Sequence, residues 1–152
     1  MEIVEVLKKA DLTQDLALED LKKVAAICSR VSYPKDGVIF EEDSVGHQLY
    51  VVEKGRVRIK IRLGADTDRQ EVIHTLRPYE TFGELSFIDG SPRSATIEAV
   101  DDVSLLVIED KGLYQILDKN PSVGYIIMKN LVGIEAARLR NTKMLFRSSI
   151  IW

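Results

Sequence analysis

The sequence has one cysteine, Cys28, in 152 residues. An intrachain disulfide is therefore excluded, and so is a CxxC metal site. A lone thiol fits a reducing compartment. Histidine is almost as scarce. His47 and His74 are the only two, too few for a three-histidine zinc or iron site. Long apolar runs are missing as well. None approaches the ~20 residues that a membrane span needs. The first ten residues, MEIVEVLKKA, carry two acids and no apolar run, which is not a signal peptide. The expectation is a cytoplasmic chain without a membrane span. Nor is there an excess of positive charge: 21 Lys and Arg against 24 Asp and Glu leave a net charge of −3. That argues against a protein built mainly to coat nucleic acid. No repeat, low-complexity tract or interdomain linker is visible.

What is present suits one domain over residues 1–152. A chain of this length buries roughly 70% of its unfolded surface. Its 45% hydrophobic and 30% charged content is ordinary for a globular protein. Residues 1–30 read as helical. Ile3, Val6, Leu7 and Ala10 recur at helical spacing. After a break at Asp11–Asp15, Leu18, Leu21, Val24, Ala25 and Cys28 form a second stripe. At Tyr33-Pro34-Lys35-Asp36-Gly37 the pattern becomes turn chemistry.

From there to Glu109 the chain alternates with period two. Between Gly55 and Leu63, the side chains of Val57, Ile59, Ile61 and Leu63 point one way. Arg56, Arg58, Lys60 and Arg62 point the other, as in an antiparallel sheet with one wet face. That cation row reads as a solvated face rather than a nucleic-acid patch. Further strands are expected at Val38–Phe40, Gln48–Glu53, Glu71–Arg77, Ser94–Ala99 and Val103–Ile108, separated by turn signals. Gly64–Asp68 reads as a hairpin tip. Many short strands with regular turns predict a sandwich or barrel.

After Glu109 the helical period returns. Asp110 is placed to cap a short helix that ends at Asn120, before Pro121. A longer helix is expected from about Ser122 to the mid-140s, with a wide apolar face of Ile127, Leu131, Ile134, Val132, Ala136 and Leu139. Beyond Glu135 there is no acid, and Arg138, Arg140, Lys143 and Arg147 give a basic end that suits a helix C-terminus. The fold class is therefore mainly β with flanking helices (α+β). It is an antiparallel, jelly-roll-like β-roll over residues 33–109, with N-terminal helices and C-terminal helices over residues 110–147.

Residues 82–99 read FGELSFIDGSPRSATIEA. Gly83 lets a backbone approach closely. Glu84-Leu85-Ser86-Phe87 can form a helical turn whose free N–H groups face an anion. Arg93 offers a rigid fork of donors suited to phosphate, and Ser94 and Ala95 are small enough to leave room beside it. A carboxylate, a fork and exposed amides on one loop suit a ligand with an anionic group and a sugar hydroxyl. The plainer alternative is that Glu84 and Arg93 form ion pairs with each other or with neighbours.

The segment FGELSFIDGSPRSAT resembles the phosphate-binding cassette of cyclic nucleotide-binding domains, as in protein kinase A regulatory subunits and catabolite activators. The stretch from Leu21 through Tyr33–Gly37 and Ile39–Asp43 to Leu49–Val57 is similar to that family's first strands. The resemblance covers roughly residues 16–140. It implies a β-roll sensor of cAMP or cGMP and no other cofactor. Glu84 then accepts the ribose 2′-OH, and Arg93 pairs with the cyclic phosphate. Backbone N–H groups near Gly83, Leu85, Ser94 and Ala95, and the Ser94 hydroxyl, hold phosphate or ribose oxygens. Ile59 and Ile73 line the base pocket. Ala137–Thr142 is similar to the catabolite-activator stretch whose threonine reads the adenine amino group, which makes Thr142 the base reader and Asn141 the reserve. Phe146 and Trp152 are candidate lids over the purine, or packing or dimer contacts.

The chain leaves no room for the helix-turn-helix of catabolite activators, so a stand-alone sensor without DNA binding is expected. Its output then passes to an unknown protein effector or to a homodimer through the C-terminal helix. A degenerate fold acting as a nucleotide-independent scaffold is the alternative. A cupin-type metal enzyme and a haem sensor fit poorly with two histidines. His47 reads as exposed, and His74 as satisfied or pocket-lining. No nucleophile–base arrangement is present, so the chain is read as a non-enzyme with no metal site.

Overall fold

The computed structural model describes residues 1–64 and 68–150. Two short helices open the chain, α1 (Ile3–Lys9) and α2 (Leu18–Ala25), with a 3-10 turn at Asp11–Thr13 between them. Val6, Leu7 and Ala10 are buried as their spacing requires. The second stripe departs from expectation. α2 ends at Ala25, and Cys28 begins strand β1 (Cys28–Tyr33). Antiparallel pairing along the whole of β1 overrides a weak local helical period. Leu18, at the first position of α2, stays 48% exposed.

The roll that follows contains β2 (Val38–Phe40), β3 (Leu49–Lys54), β4 (Val57–Arg62), β5 (Gln70–Leu76), β6 (Thr81–Phe82), β7 (Thr96–Ala99) and β8 (Val103–Ile108). They form two four-stranded sheets, in the orders β1-β8-β3-β6 and β2-β7-β4-β5. All recorded pairings are antiparallel. β6 is too short for alternation to announce it. β7 starts two residues later than expected, because Ser94 and Ala95 stay outside the ladder. β4 stops at Arg62, so Leu63 is exposed rather than inward. Most of the expected hairpin tip, residues 65–67, lies outside the described residues.

The cation row on β4 is an ion-paired wet face. Arg56 meets Asp101 at 2.9 Å, Arg58 meets Asp36 at 2.8 Å and also Glu98, and Lys60 meets Glu98 at 3.1 Å. Arg62 pairs with Asp43.

Two cores result. One lies inside the roll, built from Val52, Val57, Ile59, Phe82, Ile97, Val103 and Leu105. The other lies between the outer face of the first sheet and the helices, where Leu49, Val51, Leu106 and Ile108 meet Val6, Leu7, Leu113 and Ile127. β3 and β8 thus bury both faces, which is why they read as near-continuous apolar runs.

Three helices complete the chain: α3 (Glu84–Asp89), α4 (Asp110–Lys119) and α5 (Pro121–Ile150). Asp110 is the first helical residue of α4; Glu109 occupies the cap position and makes no side-chain cap bond. α5 has 30 residues, about 45 Å at 1.5 Å per residue. Its first half is anchored by buried Val123, Ile127 and Leu131. Asn130 adds amide hydrogen bonds to the carbonyls of Leu12 and Gln14, at 2.8 and 3.0 Å. The wide apolar face is only half used. Val132 is 68% and Leu139 71% exposed, and every described residue from 141 onward is exposed. Among the described residues, no helix is long and apolar enough to cross a membrane.

Candidate functional site

Between the roll and α5 lies a cavity of about 310 Å³, within the range of small-molecule sites. Its floor is apolar, with Phe40, Ile59, Ile61 and Ile97. One end is walled by residues 82–86 and 93–95. The other is reached by Ile73 and His74 of β5, and α5 lies across it with Glu135, Arg138, Leu139 and Thr142. Gly83, Glu84, Leu85, Arg93, Ser94, Ala95, Ile59, Ile73 and Thr142 are thereby brought to one cavity.

Arg93 is 3% exposed. Its backbone is held by the loop before β3: Arg93 N–H donates to Ser44 O and Asp43 N–H to Arg93 O, both at 2.8 Å. The guanidinium donates to Gly83 O at 3.1 Å through Nη1 and to Gln48 O at 3.0 Å through Nη2. It also sits over the Phe40 ring, 4.2 Å from the centroid. Two glycines make this seat. A Cβ on Gly46 would stand 3.1 Å from Nε and Nη2. Gly83 has φ +83°, and a Cβ there would come within 2.9 Å of Gln48 O. Burial depresses the Arg93 pKa, against the pull of Tyr50 and Glu84, yet a guanidinium stays charged. Among the described residues no carboxylate forms an ion pair with it. A desolvated cation with spare N–H groups, facing a cavity, has the chemistry to receive an anion.

Glu84 opens α3, with left-handed Gly83 before it, and is 5% exposed. The simple Glu84–Arg93 ion pair does not form. Glu84 Oε1 instead accepts from Arg138 Nη1 at 2.8 Å, while Arg138 Nη2 donates to Thr81 O. Glu135 hydrogen-bonds to the same carboxylate. Burial pushes the Glu135 carboxyl up, and the bond to Glu84 and its charge add to this, to about 8. Burial alone would raise Glu84 too, but the Glu135 bond and the Arg138 charge outweigh it and bring Glu84 below its ordinary value. The two carboxyls therefore titrate as a pair, with Glu135 the one pushed toward its protonated form.

At the far end, Thr142 Oγ1 lies 3.4 Å from His74 Nε2. Asn141 does not share this wall. One residue along the helix is a turn of about 100°, and Asn141 lines a separate groove with Asp11 and Lys129. Phe146 does not reach the cavity and is 64% exposed, because α5 has left the roll by then. Trp152 lies outside the described residues. His47 is partly buried rather than exposed, with Nε2 3.3 Å from Gly90 O. Among the described residues, no group of three or more His, Cys, Asp or Glu side chains is placed to hold a metal.

Sequence reading missed Glu135 and Arg138 as site residues. The signal was spacing: they stand seven and four residues before Thr142, on the same helix face.

Known proteins carry the same arrangement of chain. The description "Cyclic nucleotide-binding domain" matches residues 30–120. The Cyclic AMP receptor protein of Thermus thermophilus is 31% identical over 139 residues, covering 91% of this chain and 61% of that protein. Two solved structures share the fold along nearly the whole chain. A cyclic nucleotide-binding domain from Methylobacillus flagellatus superposes with a TM-score of 0.83 at 25% identity, covering 97% of this chain and 82% of its own. The N-terminal domain of a transcriptional regulator from Streptomyces coelicolor does so with a TM-score of 0.72 at 31% identity, covering 93% and 94%. The chain spans about three-fifths of the length of the Thermus receptor.

Proposed function

This chain belongs to the cyclic nucleotide-binding domain family, and from that premise we propose that its cavity takes cAMP, with cGMP as the competing ligand. The observation that carries this reading is the buried Arg93 fork, without a carboxylate partner, at the end of a cavity whose side presents Glu84. The cyclic phosphate pairs with Arg93, supported by amides near Gly83, Leu85, Ser94 and Ala95 and by the Ser94 hydroxyl. The ribose 2′-OH donates to Glu84. Ile59 and Ile73 enclose the base, and Thr142 reads its edge. The role is regulatory rather than catalytic, within one domain over residues 1–152.

The output passes through α5. Arg138 and Glu135 already tie this helix to the ribose acceptor, so a bound nucleotide changes what holds the helix in place. A ligand shifts such an equilibrium only by its differential affinity; a hundredfold preference is worth about 2.7 kcal/mol. Exposed Tyr125, Val132, Leu139 and Phe146 recur every seven residues on α5. That spacing suits a two-helix seam, and it favours a homodimer or a helical protein effector as the receiver of the signal.

Calorimetric titration with cAMP and cGMP, beside an Arg93→Ala variant, tests the reading. Micromolar or tighter binding that Arg93→Ala abolishes is the expected result. Binding that the variant leaves intact, or no binding of either nucleotide, overturns it.

A further inference from the structure

We propose that His74 is a positioning residue for base selectivity: its Nε2 accepts the Thr142 hydroxyl proton, which leaves Thr142 able only to accept, so the site favours an amine over a carbonyl on the purine edge. The inference rests on the base-reading role of Thr142 given above and deepens it.

The backbone is built to bring His74 inward. β5 pairs with β4 through Ile59↔His74 and then Lys60↔Val72, so Ile73 is an extra residue in the ladder. In a regular strand Ile73 and His74 would face opposite sides. The bulge re-aims them, and both line the cavity. His74 Nε2 then lies 3.4 Å from Thr142 Oγ1. A lone threonine hydroxyl rotates freely and serves as donor or acceptor. It would satisfy the amino group of adenine or the carbonyl of guanine at the six-position equally well. A fixed hydrogen-bond partner removes that freedom.

Which sense is fixed depends on the ring. Burial lowers the His74 pKa, Arg138 lowers it further, and Glu80 opposes them. The ring is neutral at neutral pH, so one nitrogen is an acceptor. Arg138 stands one turn before Thr142 on the same face of α5, and Thr142 is what Nε2 meets. A cation there favours the lone pair over an N–H at Nε2, and places the ring proton on Nδ1. Thr142 donates to that lone pair and turns its oxygen to the base.

The test is a double-mutant cycle read as the ratio of cGMP to cAMP dissociation constants. His74→Phe is expected to lower the ratio about tenfold, the worth of roughly one neutral hydrogen bond, chiefly by improving cGMP binding. Thr142→Val lowers it similarly, and the double variant lowers it no further. If Thr142→Val lowers the ratio and His74→Phe does not, this inference is wrong and the base-reading role stands. If His74→Phe still lowers the ratio in the Thr142→Val background, His74 does not act through Thr142 and the inference is again wrong. If Thr142→Val leaves the ratio unchanged, the base-reading role fails and takes the inference with it. An independent readout needs no variant. A ¹⁵N imidazole spectrum of the unaltered protein is expected to show the Nδ1–H tautomer, and an Nε2–H tautomer overturns the inference.

Discussion

Arg93→Lys separates charge from shape in the anion seat. The guanidinium bridges Gly83 O and Gln48 O and sits over the Phe40 ring. Lysine keeps the charge but offers a single nitrogen, which cannot serve both carbonyls and still face the cavity. Leaving one buried carbonyl without its donor costs about 1–3 kcal/mol. Loss of the stacked contact adds about 0.5–2 kcal/mol. The folded protein should therefore lose about 1.5–5 kcal/mol in a urea titration. Binding is a separate quantity, measured on the fraction that remains folded. Replacing a two-point contact to phosphate by a point charge should cost about 1.5–3 kcal/mol, or roughly 10- to 150-fold in affinity. Arg93→Ala should cost more, about 2–5 kcal/mol, because it leaves a desolvated phosphate unpaired. Calorimetry on both variants gives the two numbers. If Arg93→Lys binds as tightly as the unaltered chain while its stability falls as expected, the fork is a structural brace and the phosphate sits elsewhere.

Other outcomes follow from the same geometry. Glu84→Ala should weaken nucleotide binding by about 1.5–3 kcal/mol, one charge-assisted bond, and a 2′-deoxy nucleotide should not distinguish the variant from the unaltered protein. Gly83→Ala should destabilise the fold, because φ +83° and a Cβ 2.9 Å from Gln48 O and 3.0 Å from Arg93 Nη1 leave no relaxed position; a thermal melt reads this. Val132→Glu with Leu139→Glu should abolish any self-association seen by analytical ultracentrifugation while leaving the melting temperature nearly unchanged. The Glu84–Glu135 pair gives a pH signature. Glu135 is raised from 4.5 to about 8, so the folded chain holds a proton that the unfolded chain has released between those values. Its stabilising contribution is complete below about pH 4.5 and is lost as pH rises through 8. Glu84 is lowered and has the opposite sign, its contribution being lost only as pH falls below 4.5. Melting temperature should therefore decline from pH 5 to 8 relative to Glu135→Gln, and parallel slopes for the two proteins would show that no proton is shared.

The sheets were the legible part of this chain. Alternation marked β4 because that strand meets apolar neighbours on one face only, and turn residues marked its ends and those of β8. β1 was misread because Leu21, Val24 and Cys28 keep a helical period by accident of neighbouring elements. Only the ladder to β8, where Cys28 pairs with Ile108, decides that Cys28 is a strand residue. The cassette was legible for a different reason. Glu84 and Arg93 belong to one short segment, the start of α3 and the loop after it, so their chemistry is adjacent in sequence as well as in space. Phe146 does not line the cavity, because its reach depends on where α5 leaves the roll, a tertiary quantity with no local signal.

The partners of Glu84 were hidden in the same way, and they change what the cassette means. Read alone, Glu84 is an empty acceptor beside an anion seat. In the folded chain it is occupied from α5, by the Arg138 guanidinium at 2.8 Å and by the Glu135 carboxyl. If a ribose hydroxyl takes the place of one of them on Glu84, the choice between the two matters, because only Glu135 carries a transferable proton. Displacing Arg138 would strand a cation of which only 16% of the side chain is exposed, the costlier loss. The Glu135 carboxyl is the cheaper group to move, because it sheds its proton once it leaves Glu84. Ligand binding, proton release and a change in the grip on α5 then form one event. The proton count gives a direct check: cAMP titrations at pH 7 in two buffers of different ionisation enthalpy should differ by the release of up to one proton, and Glu135→Gln should make the two heats equal. Identical heats in the unaltered protein would mean that the nucleotide leaves Glu135 where it is, and that α5 is coupled to the site through Arg138 alone.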